Sequence, residues 1–296
     1  MNQSKKTVVL TGGSGFVGKA LINVLDQYWN VRRLSRTVGD KYFWNPVIGE
    51  LSPKLVEDAD AVICLSGAPL LRFPWTKKYR RKLVASRINT VNTLGVALRQ
   101  SGNVPRVFLS GSAIGFYGNT GNEIVNEEFP GGTDFLATLC QRWEEASLGV
   151  PAKRNIQVRS GIVLSEDGGI MKALAPLVRW RLAGVIGDGR TWMSTISLRD
   201  HVHAISHLLG ADVQGAVNLV GPSPVQQDQF MAELAQHYGA KPGCGIPAED
   251  ARALLGGMAS VLLSSQRVLP KKLRGSGFEF TDPALAEQFD SPIPTQ

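Results

Sequence analysis

The chain has 296 residues, 43% apolar and 19% charged, with 32 glycines, so it can bury one large core or two modest ones and is neither disordered nor fibrous. It reads MNQSKK straight into a strand-like segment and has no apolar run of about 18 residues, which excludes a signal peptide and a membrane span and makes the cytoplasm the expected compartment. The net charge is +7, but its densest run, Lys77, Lys78, Arg80, Arg81 and Lys82, falls on the solvated face of a helix-like segment with no recognition motif or aromatic platform, so nucleic acid is not the expected partner.

Strand-like segments fall at Thr7–Thr11, Val31–Arg36, Ala59–Ser66, Arg106–Ser110 and Gln157–Leu164, with helical periodicity filling most of the gaps. Such alternation predicts an α/β fold, a Rossmann-type doubly wound parallel sheet, over residues 1–168. Beyond it the pattern loosens into a helix-like stretch to Arg181, a glycine-rich loop at Gly184–Arg190, a strand at Val217–Val220 and an amphipathic helix at Gln226–Tyr238. Residues 169–296 therefore read as a smaller α/β substrate lobe, with the return of part of it to the main sheet left open.

The first strand–helix unit carries the strongest chemical signal. TVVLTGGSGFVG sets Gly12, Gly15 and Gly18 in a G-x-x-G-x-x-G spacing after a strand, and Phe16, Val17, Ala20, Leu21, Val24, Leu25 and Tyr28 then mark one helix face. The first glycine permits a tight turn, the second lets backbone N–H groups approach a pyrophosphate, and the third lets helix pack on strand. The second strand ends in Leu34-Ser35-Arg36, where an NAD site has an acidic residue for the ribose 2′-hydroxyl. Ser35 and Arg36 suit a 2′-phosphate instead, so NADP(H) is the expected cofactor; the alternative is an ordinary exposed arginine at a strand end.

These residues also carry a resemblance. TGGSGFVG, LSGAP at 65–69, SGSAIGFYG at 110–118, EEFP at 127–130 and RSGIVL at 159–164 resemble the extended short-chain dehydrogenase/reductase superfamily, in its nucleotide-sugar epimerase and dehydratase group. Trp75 with Ser86-Arg87, FLATLCQRWE at 135–144, GDGRTWMSTI at 187–196 and SSQRVLPKKLRGSGFEF at 264–280 look more closely like its epimerase family subgroup, with a C-terminal module over about residues 246–292. The resemblance implies that Thr11, Gly12, Gly13, Ser14, Gly15, Phe16, Val17 and Gly18 hold the pyrophosphate. It further implies that Ser35 and Arg36 take the 2′-phosphate, that Leu65, Ser66 and Gly67 line the adenosine and ribose side, and that Arg87 and Val163 make further NADP contacts. Leu65-Ser66-Gly67 departs slightly from the family's L-A-G. Homodimerisation through helix pairs is an expectation of the superfamily alone.

The superfamily's catalytic pattern is kept only in part. Ser112 fits its serine, but the Tyr-x-x-x-Lys pair falls on Phe135 and Leu139, neither of which exchanges a proton. Tyr117 is the nearest phenol; it is either a substitute acid or a structural ring beside the nicotinamide pocket, and no lysine near it in sequence lowers its pKa from about 10. Arg190 and Trp192, in the glycine-rich loop, are candidates for substrate contact, with a solvated loop arginine as the alternative. His201, His203 and His207 lie on an amphipathic helix with no carboxylate or cysteine to complete a metal set, and Cys64, Cys140 and Cys244 are too scattered for a zinc site or disulfide framework. Two functions stay open: an NADP(H)-dependent oxidoreductase or epimerase acting on a small, nucleotide-sugar-like molecule, and an NADP(H)-binding regulatory protein without turnover. Phe135 and Leu139 keep the second open, whereas Ser112 favours the first.

Overall fold

The computed structural model describes residues 5–166 and 168–292. Six parallel strands form the central sheet: β1 (Lys6–Thr11), β2 (Trp29–Arg33), β3 (Ala61–Cys64), β4 (Val107–Ala113), β5 (Arg154–Ser160) and β6 (Gly215–Leu219), in spatial order 2-1-3-4-5-6. The inner strands β1, β3 and β4 are largely apolar because both of their faces are covered. Val8, Leu10, Ala61, Ile63, Val107, Leu109, Ile156 and Val158 pack against α1 (Phe16–Leu25) and α5 (Leu198–Gly210). Val9, Val62, Cys64 and Phe108 face the other way, onto Val91, Leu94 and Leu98 of α2 (Lys77–Ser101) and Trp143 of α3 (Phe135–Leu148). This two-sided burial is what a doubly wound parallel sheet requires.

The open question of the chain's return is answered by β6. It pairs with β5 in the register Val217↔Val158, and α5 before it packs on α1, so both belong to the main layer. The expected strand Gln157–Leu164 is in fact two. Gly161 breaks it, donating to Leu219 O at 3.0 Å, and a Cβ there would meet the Val220 side chain at 2.7 Å. After the break Ile162–Leu164 pairs in parallel with Thr195–Ser197.

A second, smaller core gathers Leu164, Met171 and Val178 of α4 (Gly169–Arg179), Phe230 and Leu234 of α6 (Gln227–His237), and Phe289. The C-terminal stretch adds α7 (Ala248–Leu255) and α8 (Ala259–Leu263), and its short strand Arg267–Val268 runs parallel to Ile124–Val125. No helix among the described residues is long and apolar enough to cross a membrane.

Candidate functional site

The sheet reverses direction of winding between β1 and β3, and the glycine loop lies there, beyond the carboxyl ends of the strands, where open α/β sheets bind ligands. Gly12 has φ +81°, and a Cβ on it would stand 2.8 Å from the Leu65 carbonyl carbon, so glycine is required for both turn and close approach. At Gly18 a Cβ would collide with the Gly12 carbonyl oxygen, which makes this glycine a helix–loop packing residue. Gly15 differs: its φ of −77° suits any residue, and a Cβ there would meet only Gly12 O, at 3.2 Å. Gly15 is the N-cap of α1 and supplies no capping side chain, so the first N–H groups of the helix, at Phe16, Val17 and Gly18, have no intrahelical acceptor. A glycine cradle facing an uncapped helix start fits a pyrophosphate.

Other residues expected around a dinucleotide gather at the same edge. Phe16, Val17, Leu65 and Val163 pack against one cluster, Leu65 N–H donates to Thr11 O at 3.2 Å, and Phe16 lies against Gly168 and Gly169. Ser14 and Gly67 are exposed there and Ser66 is half-buried. Arg87 is buried behind Gly67, where it donates to Leu83 O (3.0 Å) and Ala68 O (3.3 Å) and stacks on Trp143 at 5.1 Å. Among the described residues it has no carboxylate partner, and burial pushes its pKa down. A buried guanidinium left without a counter-charge suits a phosphate beside Gly67. At the end of β2, Ser35 accepts from Thr37 N–H at 3.2 Å and Arg36 is exposed. Arg33 was not singled out in the sequence; its stem crosses Gly13, with Cγ 2.7 Å from where a Cβ would sit.

Ser112 and Tyr117 are joined by residues the sequence did not single out. Ser112 Oγ donates to Glu144 Oε1 at 2.6 Å, and Arg159 forks onto both Glu144 oxygens at 2.8 Å. Its remaining arm donates to Tyr117 Oη at 2.9 Å, and Tyr117 donates to Asn218 Oδ1 at 2.7 Å. The chain is buried: Tyr117 is 2%, Arg159 5% and Glu144 9% exposed. Burial raises the Tyr117 pKa against the lowering effect of Arg159, and burial likewise opposes the Arg159 charge, which Glu144 nevertheless holds above its ordinary value. The phenol's one proton is thus committed to Asn218. An arginine between the strand residues Val158 and Ser160 was the available sequence signal, because an arginine buried on an inner strand needs a partner.

Phe135 and Leu139 border an apolar wall with Trp75, Tyr79, Leu83, Met258 and Val261. Trp75 meets Phe135 edge-on at 5.9 Å, and Arg80 stacks on it at 5.1 Å. The two substrate candidates diverge. Trp192 packs on the C-terminal segment, donating to Asn122 Oδ1 at 2.6 Å under the Arg267 guanidinium at 4.2 Å, whereas the Arg190 side chain stands exposed and its N–H donates to Asp188.

The three histidines do not converge. His201 is buried on Ser160 Oγ at 2.9 Å, His203 is exposed and His207 reaches Ser276 Oγ at 3.0 Å. Among the described residues no three His, Cys, Asp or Glu side chains could hold a metal ion. Burial pushes His201 down to about 4. Because the unfolded chain takes up this proton near pH 6.5 and the folded chain only near 4, stability present above pH 6.5 is lost as the pH falls through that window. The expected loss is about 3 kcal/mol. Denaturant titrations at pH 7 and 4 check this, and His201→Gln should flatten the difference; an equally steep fall in the variant would place the titrating group elsewhere.

Residues 246–290 match a family described as a domain of unknown function (DUF1731). Over 293 residues the chain is 35% identical to an epimerase family protein of Mycobacterium leprae, covering 96% of this chain and 94% of that one. The chain belongs to the epimerase family. It is also 31% identical over 291 residues to the mouse epimerase family protein SDR39U1, covering 94% of this chain and 96% of that one. The crystal structure of human epimerase family protein SDR39U1 (isoform 2) with NADPH is similar to it at a TM-score of 0.86 and 25% identity, over 97% of this chain and 99% of that chain. UDP-glucuronic acid 4-epimerase from Bacillus cereus, in complex with UDP-glucuronic acid and NAD, shares the fold at a TM-score of 0.75 and 15% identity, over 96% of each chain. This epimerase family member of the extended short-chain dehydrogenase/reductase superfamily thus has a serine near the sheet's carboxyl edge, on β4, and the apolar Phe135 and Leu139 in the first turns of α3.

Proposed function

We propose that the chain is an NADP(H)-dependent oxidoreductase or epimerase acting on a small molecule in the crevice between the glycine cradle and Ser112. The observation that carries this reading is the cradle itself: Gly12 and Gly15 open beside an uncapped α1, with the buried Arg87 behind Gly67 and Arg33, Ser35 and Arg36 at the β2 end. The human relative solved with NADPH supports the choice of cofactor. Bound there, NADP(H) supplies or takes a hydride. Ser112 donates its O–H in a hydrogen bond to Glu144, so its oxygen is left to meet a substrate as an acceptor, suited to a hydroxyl group. Tyr117, buried and donating to Asn218, positions Arg159; the proton exchanged with the substrate comes from water or from the substrate itself.

The alternative, a cofactor-binding regulatory protein without turnover, draws on the apolar wall that Phe135 and Leu139 share with Met258 and Val261. Binding measurements test the cofactor site that both readings share, and turnover separates them. NADPH should bind at least about tenfold tighter than NADH, and Arg36→Ala should erase most of that gap, because a guanidinium–phosphate pair contributes about 1.5–3 kcal/mol. Equal affinities in the unmutated chain would remove the 2′-phosphate from the reading. Gly15→Val should abolish binding with an unchanged circular dichroism spectrum, since its backbone is ordinary and its Cβ would occupy the space of the pyrophosphate. Mass spectrometry of the purified protein should then find the cofactor with a small-molecule substrate or product. NADP(H) alone, with no turnover across sugar nucleotides, quinones and simple carbonyls, would favour the regulatory reading.

A further inference from the structure

We propose that the C-terminal segment Ser265–Lys272 is part of the site, with Gln266 as a positioning residue that fixes Tyr117 and, through it, the Arg159–Glu144–Ser112 chain. This assigns a task to a stretch whose family description names none, and it rests on the reading of Ser112 as the substrate-facing hydroxyl. Two separate routes lead from this segment to Tyr117. In the first, Gln266 Nε2 spends both of its N–H donors on the carbonyls of Ile114 and Gly118, each at 2.9 Å and about 150 residues away in sequence. Those carbonyls bracket the single 3-10 turn Ile114–Tyr117, and Gly118 that ends it has φ +67°. A turn this short has too few internal hydrogen bonds to hold a ring in place, so the amide supplies what the turn lacks.

The second route grips the other end of the same side chain. Tyr117 donates to Asn218 Oδ1, while Asn218 Nδ2 donates to Leu269 O at 3.1 Å. The backbone N–H groups of Asn218 and Lys272 meet on one carboxylate oxygen, Glu127 Oε1, at 3.0 and 3.2 Å. The turn that carries Tyr117 is therefore held on both sides by Gln266, and the Tyr117 hydroxyl is held through Asn218, which Leu269 engages directly and Lys272 by way of Glu127. The consequence reaches Ser112 because Arg159 shares its donors between Tyr117 and Glu144. If the phenol shifts, a buried arm of Arg159 loses its acceptor, and the fork on Glu144 that sets the direction of the Ser112 proton must rearrange.

The test uses the full chain with NADPH and follows the Arg159 Nε–H by nuclear magnetic resonance, with the buried Leu109 amide as an internal standard. Gln266→Ala and, separately, Asn218→Ala should speed Arg159 Nε–H exchange by about tenfold relative to Leu109, while NADPH affinity stays within about twofold. A merely structural role would move both protons together through global unfolding, and that result overturns the proposal, as does unchanged exchange. Gln266→Glu, which keeps the size but loses the donors, gives the same reading should the alanine variant not fold. If the unmutated chain fails to bind NADPH, the proposed function falls while the exchange comparison still decides the role of Gln266. For any compound that the chain turns over, Gln266→Ala should lower kcat about tenfold with the KM for NADPH unchanged; a retained kcat overturns the proposal.

Discussion

Replacing Glu144 by alanine is expected to lower the unfolding free energy by about 3–5 kcal/mol, because it strands a buried guanidinium. Arg159 sits on the inner strand β5, 5% exposed, with its planar group 3.5 Å from the centre of the Phe116 ring. Among the described residues its two hydrogen bonds to Glu144 are its only ones to a charged acceptor. Alanine leaves it with Tyr117 Oη and two aromatic faces, too little to offset the lost hydration. Removing both charges should cost much less, so Glu144→Leu combined with Arg159→Met is expected to recover a large part of the loss. Equilibrium denaturation of the two variants against the unmutated chain decides it. A cost below about 1 kcal/mol for Glu144→Ala would mean that water reaches Arg159, and the buried chain linking Ser112 to Tyr117 would have to be abandoned.

The parts of this site that were legible in the sequence are those written locally. Gly12, Gly15 and Gly18 announce a strand–loop–helix turn within a dozen residues, and the structure gives each a distinct physical reason: a positive φ, an open approach and a tight packing contact. Strands β1, β3 and β4 were visible because a strand covered on both faces is apolar over most of its length. Partners distant in sequence were not visible. Val217–Val220 identifies itself as a strand, but its place beside β5 depends on a pairing about 60 residues away, as Val217↔Val158 shows. Nothing local distinguishes Gly161 as a strand break; the Val220 side chain crowding it comes from the other end of the domain. Glu144, Arg159 and Asn218 belong to three elements, and only Arg159, a charge among buried neighbours, carried a trace of its role. Gln266 carried none, since an uncharged polar side chain in a loop normally meets water.

Phe135 and Leu139, where the resemblance places the superfamily's tyrosine and lysine, are buried to different depths, and substitution at the two positions should show it unequally. Phe135 is half-buried, with Trp75 at its edge and Arg80 on its face, so Phe135→Tyr adds one hydroxyl near solvent and is expected to change stability by no more than about 1 kcal/mol. Leu139 is 3% exposed among Tyr79, Leu83, Trp75 and Ala68. A lysine there would have to bury its ammonium or give up its proton, and cations already flank the region: Arg80 lies on Phe135, and Arg87 lies close enough to Cys140 to favour its thiolate against burial, which raises that thiol to about 12. Leu139→Lys is therefore expected to cost about 3 kcal/mol or more at pH 7. The sign of its pH dependence is fixed. The unfolded chain holds the proton up to about pH 10.4 and the folded chain releases it earlier, so the penalty should shrink as the pH rises toward 10. Urea denaturation at pH 7 and 10 measures both effects. An undiminished stability at pH 7 would mean that position 139 opens to solvent or to a bound anion, and the superfamily's tyrosine–lysine pair could then be restored by two substitutions. If the penalty appears as expected, Phe135→Tyr alone yields a phenol with no lysine to lower its pKa, and any acid–base help in this site must come from outside the positions the superfamily uses.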